Sequence, residues 1–295
     1  MKVLIIGCNG LLGQNLIRTK PSDESFTLVG SGIEKEPVLA GSLIRYRNID
    51  VTKRELMEKV IGEIAPDLII NAAAITDVDL CERDKALCAL VNRDAVGWMA
   101  ATGIPLVQIS SDYVFDGEAG PYSENDPTGP LSYYGLTKLE SEKLTLDGSP
   151  KSIVLRTMTL WGKGHGAKTS FVEFVQNSLK AGKTIKIVTD QWGNPTLAED
   201  LAIAIWKLVE GKHNGVFHAV GSEWNSRYEW AVAIADYYGL DKSLITTCVT
   251  ADLKQLAQRP LKSGLKIDKL VNTIGFKPRG VAEQLKRVDE LWQAP

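Results

Sequence analysis

The segment Gly7-Cys8-Asn9-Gly10-Leu11-Leu12-Gly13 constrains this chain more than any other. It follows the apolar run Val3 to Ile6 and leads into Gln14, Asn15, Leu16 and Ile17, so its glycines fall where a strand turns into a helix. Glycine at such a turn lets the backbone approach a pyrophosphate closely. The helix start then offers unpaired N–H donors and the positive end of its dipole. Gly7, Asn9, Gly10, Leu11, Leu12 and Gly13 are therefore candidate dinucleotide contacts, and the chain is predicted to open with a βαβ unit.

The first half continues that rhythm. Further strands are predicted over Phe26 to Val29, Asp67 to Asn71, Ile104 to Ile109 and Ile153 to Leu155. Leu56, Met57, Val60, Ile61 and Ile64 recur at helical spacing until Pro66, and a long helix is predicted over Leu80 to Thr102, with Leu87, Leu90, Val91 and Trp98 on one face. These elements specify an α/β fold: a doubly wound parallel sheet of the Rossmann type over residues 1–155. A smaller substrate-binding domain is expected over 156–295, with part of 184–221 packing back on the first. The alternation loosens beyond Arg156, where Gly162 to Gly166 reads as a mobile lid. Ser226 to Tyr238 is predicted to be a helix with a Ser cap and Gly239 as its stop, and the segment from Arg259 to Pro278 is predicted to be loop-rich.

Composition excludes several functions. The 34 basic and 36 acidic side chains nearly cancel and form no long run of one sign, which argues against a nucleic-acid or membrane-surface partner. No apolar stretch approaches the roughly 20 residues of a membrane span. Cys8, Cys81, Cys88 and Cys248 lack C-x-x-C spacing, and His165, His213 and His218 are scattered, so reduced thiols, a cytoplasmic location and no metal are expected.

Chemistry concentrates in two places. Tyr134-Gly135-Leu136-Thr137-Lys138 puts a phenol and an ammonium at i and i+4 on one helical face, where the cation is expected to lower the phenol pKa and make Tyr134 a proton donor to a carbonyl receiving hydride. Upstream, Ser110-Ser111-Asp112-Tyr113-Val114-Phe115-Asp116-Gly117 begins at the carboxyl end of a strand, where ligands of open α/β sheets bind. Ser111 is the candidate hydroxyl there. Tyr238 and Lys242 share the Tyr-Lys spacing, but Gly239 breaks the helix between them, and that pair is read as structural. At the end of the second strand Gly30-Ser31-Gly32 replaces the carboxylate that would bind the ribose hydroxyls of NAD(H). Ser31, assisted by Lys35, is expected to favour NADP(H), with NAD(H) also possible.

The G-x-x-G-x-x-G spacing resembles that of the extended short-chain dehydrogenase/reductases. By that resemblance Asp50 and Val51 contact adenine, and Ala72, Ala73 and Ala74 form a small-residue wall beside the nicotinamide ribose. The series formed by the glycine loop, Ser110 to Gly117, Tyr-Gly-Leu-Thr-Lys, Arg156-Thr157 with Trp161-Gly162, Asp190 to Thr196, and Arg259-Pro260 with Ser263 resembles the dTDP-4-dehydrorhamnose reductase group along nearly the whole chain. That resemblance implies a catalytic triad of Ser111, Tyr134 and Lys138, the last two also touching cofactor. It further implies a nucleotide-linked sugar held by Ser111, Asp112, Tyr113, Thr159, Trp192 and Arg259. The oligomeric state stays open, with a homodimer as the expected assembly.

Two departures stand out. Thr159 takes the place of a Trp common in relatives, and Gln14-Asn15 stand where some relatives have a metal-binding Glu. The dehydratases similar to this group carry Thr-Asp-Glu where this chain has Ser111-Asp112-Tyr113, so dehydration is expected to fail. The alternative of another class is a non-catalytic dinucleotide-binding subunit, similar to the β subunit of methionine adenosyltransferase.

Overall fold

The computed structural model describes residues 1–22, 25–39, 44–166 and 169–293. Its strands and helices run β1 (Lys2–Ile6), α1 (Leu11–Arg18), β2 (Thr27–Gly32), β3 (Ile44–Asn48), α2 (Arg54–Ile64), β4 (Leu68–Asn71), α3 (Val78–Arg83), α4 (Lys85–Ala89), α5 (Ala95–Ala100), β5 (Leu106–Ser111), α6 (Tyr133–Gly148) and β6 (Ile153–Thr157). With the later strand Gly215–His218, six of these build one seven-stranded parallel sheet in the order Gly215–His218, β6, β5, β4, β1, β2, β3. Strand order reverses at β1, which pairs with β2 on one side and β4 on the other. This topological switch point opens a crevice at the carboxyl ends of the strands.

Alternation along β1 explains the layers. Val3 and Ile5 pack with Leu16 and Trp206 on one face, whereas Leu4 and Ile6 pack with Met57, Ile61, Val96 and Met99 on the other. A sheet covered on both sides needs such continuously apolar strands, and all four of these β1 residues are buried.

The stretch predicted as one helix over 80–102 is instead divided into α3, α4, a π-helical turn (Leu90–Asp94) and α5. Asp84 adopts φ −128° and ψ 76° and accepts the N–H of Leu87, so it ends one helix and caps the next. Its capping tendency overrides the apolar periodicity. Within the π turn Asn92 exchanges two hydrogen bonds, both 2.9 Å, with the backbone of Ile75, holding the chain just past Ala74.

The second half adds α7 (Phe171–Lys180), α8 (Ala198–Glu210), α9 (Arg227–Tyr237) and two helices, Asp268–Ile274 and Val281–Gln293. A separate apolar cluster joins α7, α9 and the last helix, with Trp161, Trp230 and Leu285 at its centre. α8 lies on the other cluster: Trp206 donates to the Leu16 carbonyl at 2.9 Å, and Gly215–His218 extends the main sheet beside β6. The loop-rich stretch after Arg259 contains the helix Asp268–Ile274. Its first part is stitched to the cleft wall through Lys262 N–H to the Gly117 carbonyl and Trp192 N–H to the Leu261 carbonyl, both at 2.7 Å.

Candidate active site

A cleft of about 910 Å³ runs along the carboxyl ends of β1, β4, β5 and β6. At one end lies the glycine loop. Gly7 has φ +78°, and a Cβ there would stand 2.8 Å from the Ala73 nitrogen; one at Gly13 would stand 2.4 Å from the Gly7 carbonyl. These two glycines close the turn, while Asn9, Gly10, Leu11 and Leu12 border the cleft. No side chain caps α1, so its first N–H groups remain available to an anion. The loop therefore fits a dinucleotide pyrophosphate.

The ribose edge differs from the reading of the sequence. Ser31 is fully buried, its hydroxyl has no partner, and it does not border the cleft. Its carbonyl accepts the N–H groups of Gly7 and Cys8 at 2.8 and 2.9 Å, which fixes the residue to the loop by its backbone. Glu34 borders the cleft instead, its carboxylate accepting the Asn9 amide at 2.9 Å. A carboxylate does stand at this edge, two residues beyond Gly32. Asp50 and Val51 also lie off the cleft lining, and Asp50 is engaged by the Thr52 N–H and hydroxyl at 2.9 and 2.7 Å.

Ala72, Ala73 and Ala74 line the cleft directly after β4. Asn71, at the strand's end, donates to Gln108 at 2.9 Å and accepts the Ala73 N–H at 3.1 Å, fixing how the wall leaves the sheet. Ser111, Asp112, Tyr113, Tyr134 and Lys138 share the same cleft. The Ser111 hydroxyl donates to Asp112 at 3.0 Å, and Ser263 donates to the other Asp112 oxygen at 2.6 Å. Burial raises the Asp112 pKa, and these two hydroxyls oppose the shift.

Ser132 caps α6, accepting the Gly135 N–H at 3.2 Å, and so places Tyr134 in the first turn. The Tyr134 ring meets Tyr113 edge-on at 5.5 Å and packs against Cys81 and Cys88. Burial pushes the phenol pKa upward, and hydrogen bonding to Ser111 opposes it. The net shift is therefore upward, where the sequence reading expected Lys138 to bring the phenol down. That ammonium donates to the Ile109 carbonyl, and burial brings its pKa down to about 8 against the charge of Glu142.

Glu142 continues the same face, four residues past Lys138. It takes two guanidinium bonds from Arg156 at 2.9 and 2.8 Å and one from Ser110 at 2.5 Å, all buried. The continued i+4 spacing was a signal that the Tyr-Lys motif alone did not use.

On the second lobe Thr159 and Trp192 border the cleft, with the Trp192 ring 4.9 Å from Trp224. Arg259 does not border it: its guanidinium pairs with Asp79 at 3.1 Å, pinning the late segment to α3. From that segment Pro260 and Ser263 reach the cleft. Arg227 also reaches it, although no sequence motif marked the residue. Tyr238 donates to Asp289 at 3.0 Å and Lys242 pairs with Asp236, so the second Tyr-Lys spacing joins nothing in the cleft.

Comparison with known proteins adds lineage to this geometry. A family model described as RmlD substrate binding domain matches residues 1–293. The chain is 33% identical over 303 residues to the dTDP-4-dehydrorhamnose reductase of Aggregatibacter actinomycetemcomitans, covering 97% of this chain and 98% of that protein. It is 31% identical over 314 residues to methionine adenosyltransferase 2 subunit beta of Pongo abelii, covering 99% and 90%. Among solved structures, a dTDP-4-dehydrorhamnose reductase of Clostridium acetobutylicum superposes with a TM-score of 0.87 at 33% identity over 100% of both chains. The dTDP-4-dehydrorhamnose reductase of Bacillus anthracis, in complex with NADP, gives 0.84 at 27% identity over 98% and 99%.

Proposed function

The chain belongs to the RmlD substrate binding domain family, and from that premise we propose that it reduces the 4-keto group of a nucleotide-linked deoxy sugar with NAD(P)H, Tyr134 supplying the proton. The observation that carries this reading is the convergence of Ser111, Tyr134 and Lys138 with Ala72 to Ala74 and the uncapped glycine-loop helix on one cleft.

Bound nicotinamide supplies a hydride to the carbonyl carbon. The Ser111 hydroxyl orients the carbonyl oxygen, and the Tyr134 phenol, kept protonated by burial, passes its proton to the oxygen as negative charge develops there. Lys138 holds positive charge beside the phenolate left behind. Glu142 and Arg156 position that pair by locking the ends of β5 and β6 to α6. NADP(H) is the favoured dinucleotide, as in the complex of the B. anthracis reductase. NAD(H) is also accepted, because Glu34 works against a 2′-phosphate and limits the preference.

Oxidation of NADPH and NADH, followed with a set of nucleotide-linked 4-keto sugars, tests the proposal: sugar-dependent oxidation is expected, and its absence across the set removes the reductase reading. The similarity to the methionine adenosyltransferase β subunit favours a second reading, a dinucleotide-binding regulatory subunit. Tight NADPH binding without any carbonyl-dependent oxidation, together with co-purification of a synthetase, distinguishes it.

A further inference from the structure

Arg227 opens α9 and borders the cleft that contains Ser111 and Tyr134. Its guanidinium donates to the Thr159 hydroxyl at 3.2 Å and lies 5.4 and 5.6 Å from the ring centres of Phe171 and Trp230. Among the described residues it forms no ion pair within 4.0 Å, although Tyr113 and Asp112 act on it electrostatically. Both Asp112 oxygens are already engaged, by Ser111 and Ser263. A guanidinium carries five N–H donors in a planar fork, so most of this one's donor capacity is unspent. Burial lowers its pKa, and the nearby Tyr113 and Asp112 oppose that shift.

Three cleft residues near it also carry an unpartnered buried polar atom among the described residues: the Asn225 Oδ1, which can only accept, and two groups that can donate. Among the described residues the Trp230 indole N–H has no partner although the residue is only 1% exposed, and the Thr157 hydroxyl has none at 7% exposure; both residues border the cleft. Buried polar groups in folded proteins are nearly always hydrogen-bonded, so unpartnered donors on the wall of a cleft point to a ligand. Their place is informative. Thr157 is in register with Ser111 across β5 and β6, and Thr159 follows it by two residues with φ +44°, turning its hydroxyl toward Arg227. The deficit therefore lies at the reacting end of the cleft.

We propose that Arg227, Thr159 and the Trp230 indole form an anion subsite beside the reacting centre, which grips carboxylate or diphosphate oxygens of a sugar nucleotide. Paired oxygens of that kind match the guanidinium fork, and a neutral hydroxyl cannot use it as fully. If the oxygens belong to the sugar ring, the substrate is an acidic sugar; if they belong to the linkage, the subsite anchors the nucleotide. The inference rests on the reading of the cleft as a sugar-nucleotide site, but not on turnover.

The test is calorimetric titration of the full-length protein and of Arg227→Met with UDP, dTDP, UDP-glucose, dTDP-glucose and UDP-glucuronic acid. In parallel, the Trp230 indole N–H resonance is followed, identified by its loss in Trp230→Phe. Arg227→Met is expected to weaken at least one probe about tenfold, a change typical for a charge-assisted hydrogen bond, while NADPH affinity stays unchanged and reports an intact fold. Loss of affinity shared by all five probes assigns the diphosphate, and loss confined to UDP-glucuronic acid assigns a carboxylate. The Trp230 resonance should move with whichever probe is affected. Failure of every probe to bind the parent protein, unchanged affinities in Arg227→Met, or a stationary Trp230 resonance overturns the subsite. Arg227-dependent binding in a protein that never oxidises NADPH keeps the subsite and removes the reductase reading.

Discussion

Tyr134 and Lys138 show how burial acts on two groups of opposite charge type. Removal from water penalises phenolate and ammonium alike, so the phenol is held protonated and the ammonium is more easily lost, its pKa brought down to about 8. The sequence spacing correctly places both side chains on one face of α6, but it does not reveal that the ammonium spends a hydrogen bond on the Ile109 carbonyl. The sign for activity follows directly. Lys138 is charged below its pKa, so turnover that depends on its charge declines as pH rises through about 8. A pH profile of kcat should show this single-proton alkaline limb, and a flat profile up to the range of an unperturbed lysine would contradict it.

Glu34 was not singled out in the sequence, because it lies two residues past Gly32, where β2 ends, and the chain beyond that strand carries its carboxylate onto the cleft. Glu34→Gln removes the charge that opposes a 2′-phosphate, so the affinity ratio of NADPH to NADH should rise about tenfold, close to 1.4 kcal/mol. Direct titration of both cofactors measures it, and an unchanged ratio rejects the assignment of Glu34 to the ribose edge.

Elements are held together by side chains whose partners lie far away in sequence. The segment Gly162 to Gly166 has the glycine content of a lid, yet Gln14 clasps it. Its amide donates to the His165 carbonyl and accepts the His165 N–H, both at 2.8 Å, while Asn15 donates to the Lys163 carbonyl at 3.2 Å. These two amides, read in the sequence only as the absence of a metal ligand, couple the cofactor helix α1 to the entry of the second lobe. Gln14→Ala should therefore speed proteolytic cleavage between Gly162 and Gly166 several-fold. An unchanged cleavage rate would show that the clasp does not restrain the loop.

The Glu142–Arg156 pair joins α6 to β6 in the same way, but in the core. Replacing Glu142 by Ala leaves a buried guanidinium without its carboxylate, and unfolding in urea should show a loss of about 3–5 kcal/mol. A loss below about 1 kcal/mol would mean that Arg156 finds other partners. The predicted long helix is divided by a single side chain. Apolar periodicity reads continuously through Asp84, whereas the carboxylate's bond to the Leu87 N–H resets the helix.

For the whole molecule, the doubly wound sheet was legible because the central stretches of strands covered on both faces are apolar, as in Val3 to Ile6, Leu68 to Ile70 and Ile153 to Leu155, while polar residues such as Ser111 and Thr157 gather at the carboxyl ends beside the cleft. Two sheet strands escaped that reading. β3 is an edge strand carrying Arg45, Tyr46, Arg47 and Asn48, and Gly215–His218 is short and lies after the chain has left the first lobe. Polar edge strands lack the apolar run that marks a central one. The proposed catalytic residues Ser111, Tyr134 and Lys138 were readable because they sit on short motifs, whereas Arg227 and Glu34 reach the cleft only through tertiary folding.

Whether Tyr134 gives the proton in the proposed carbonyl reduction is decided by single-turnover and steady-state rates of Tyr134→Phe. The substitution keeps the ring, its edge contact with Tyr113 and the distant glycine loop, but removes the proton. The rate at saturating sugar nucleotide should fall roughly 10²- to 10⁴-fold while NADPH affinity remains within about twofold of the parent. Turnover at the parent rate in Tyr134→Phe would contradict the claim and place the proton donor elsewhere.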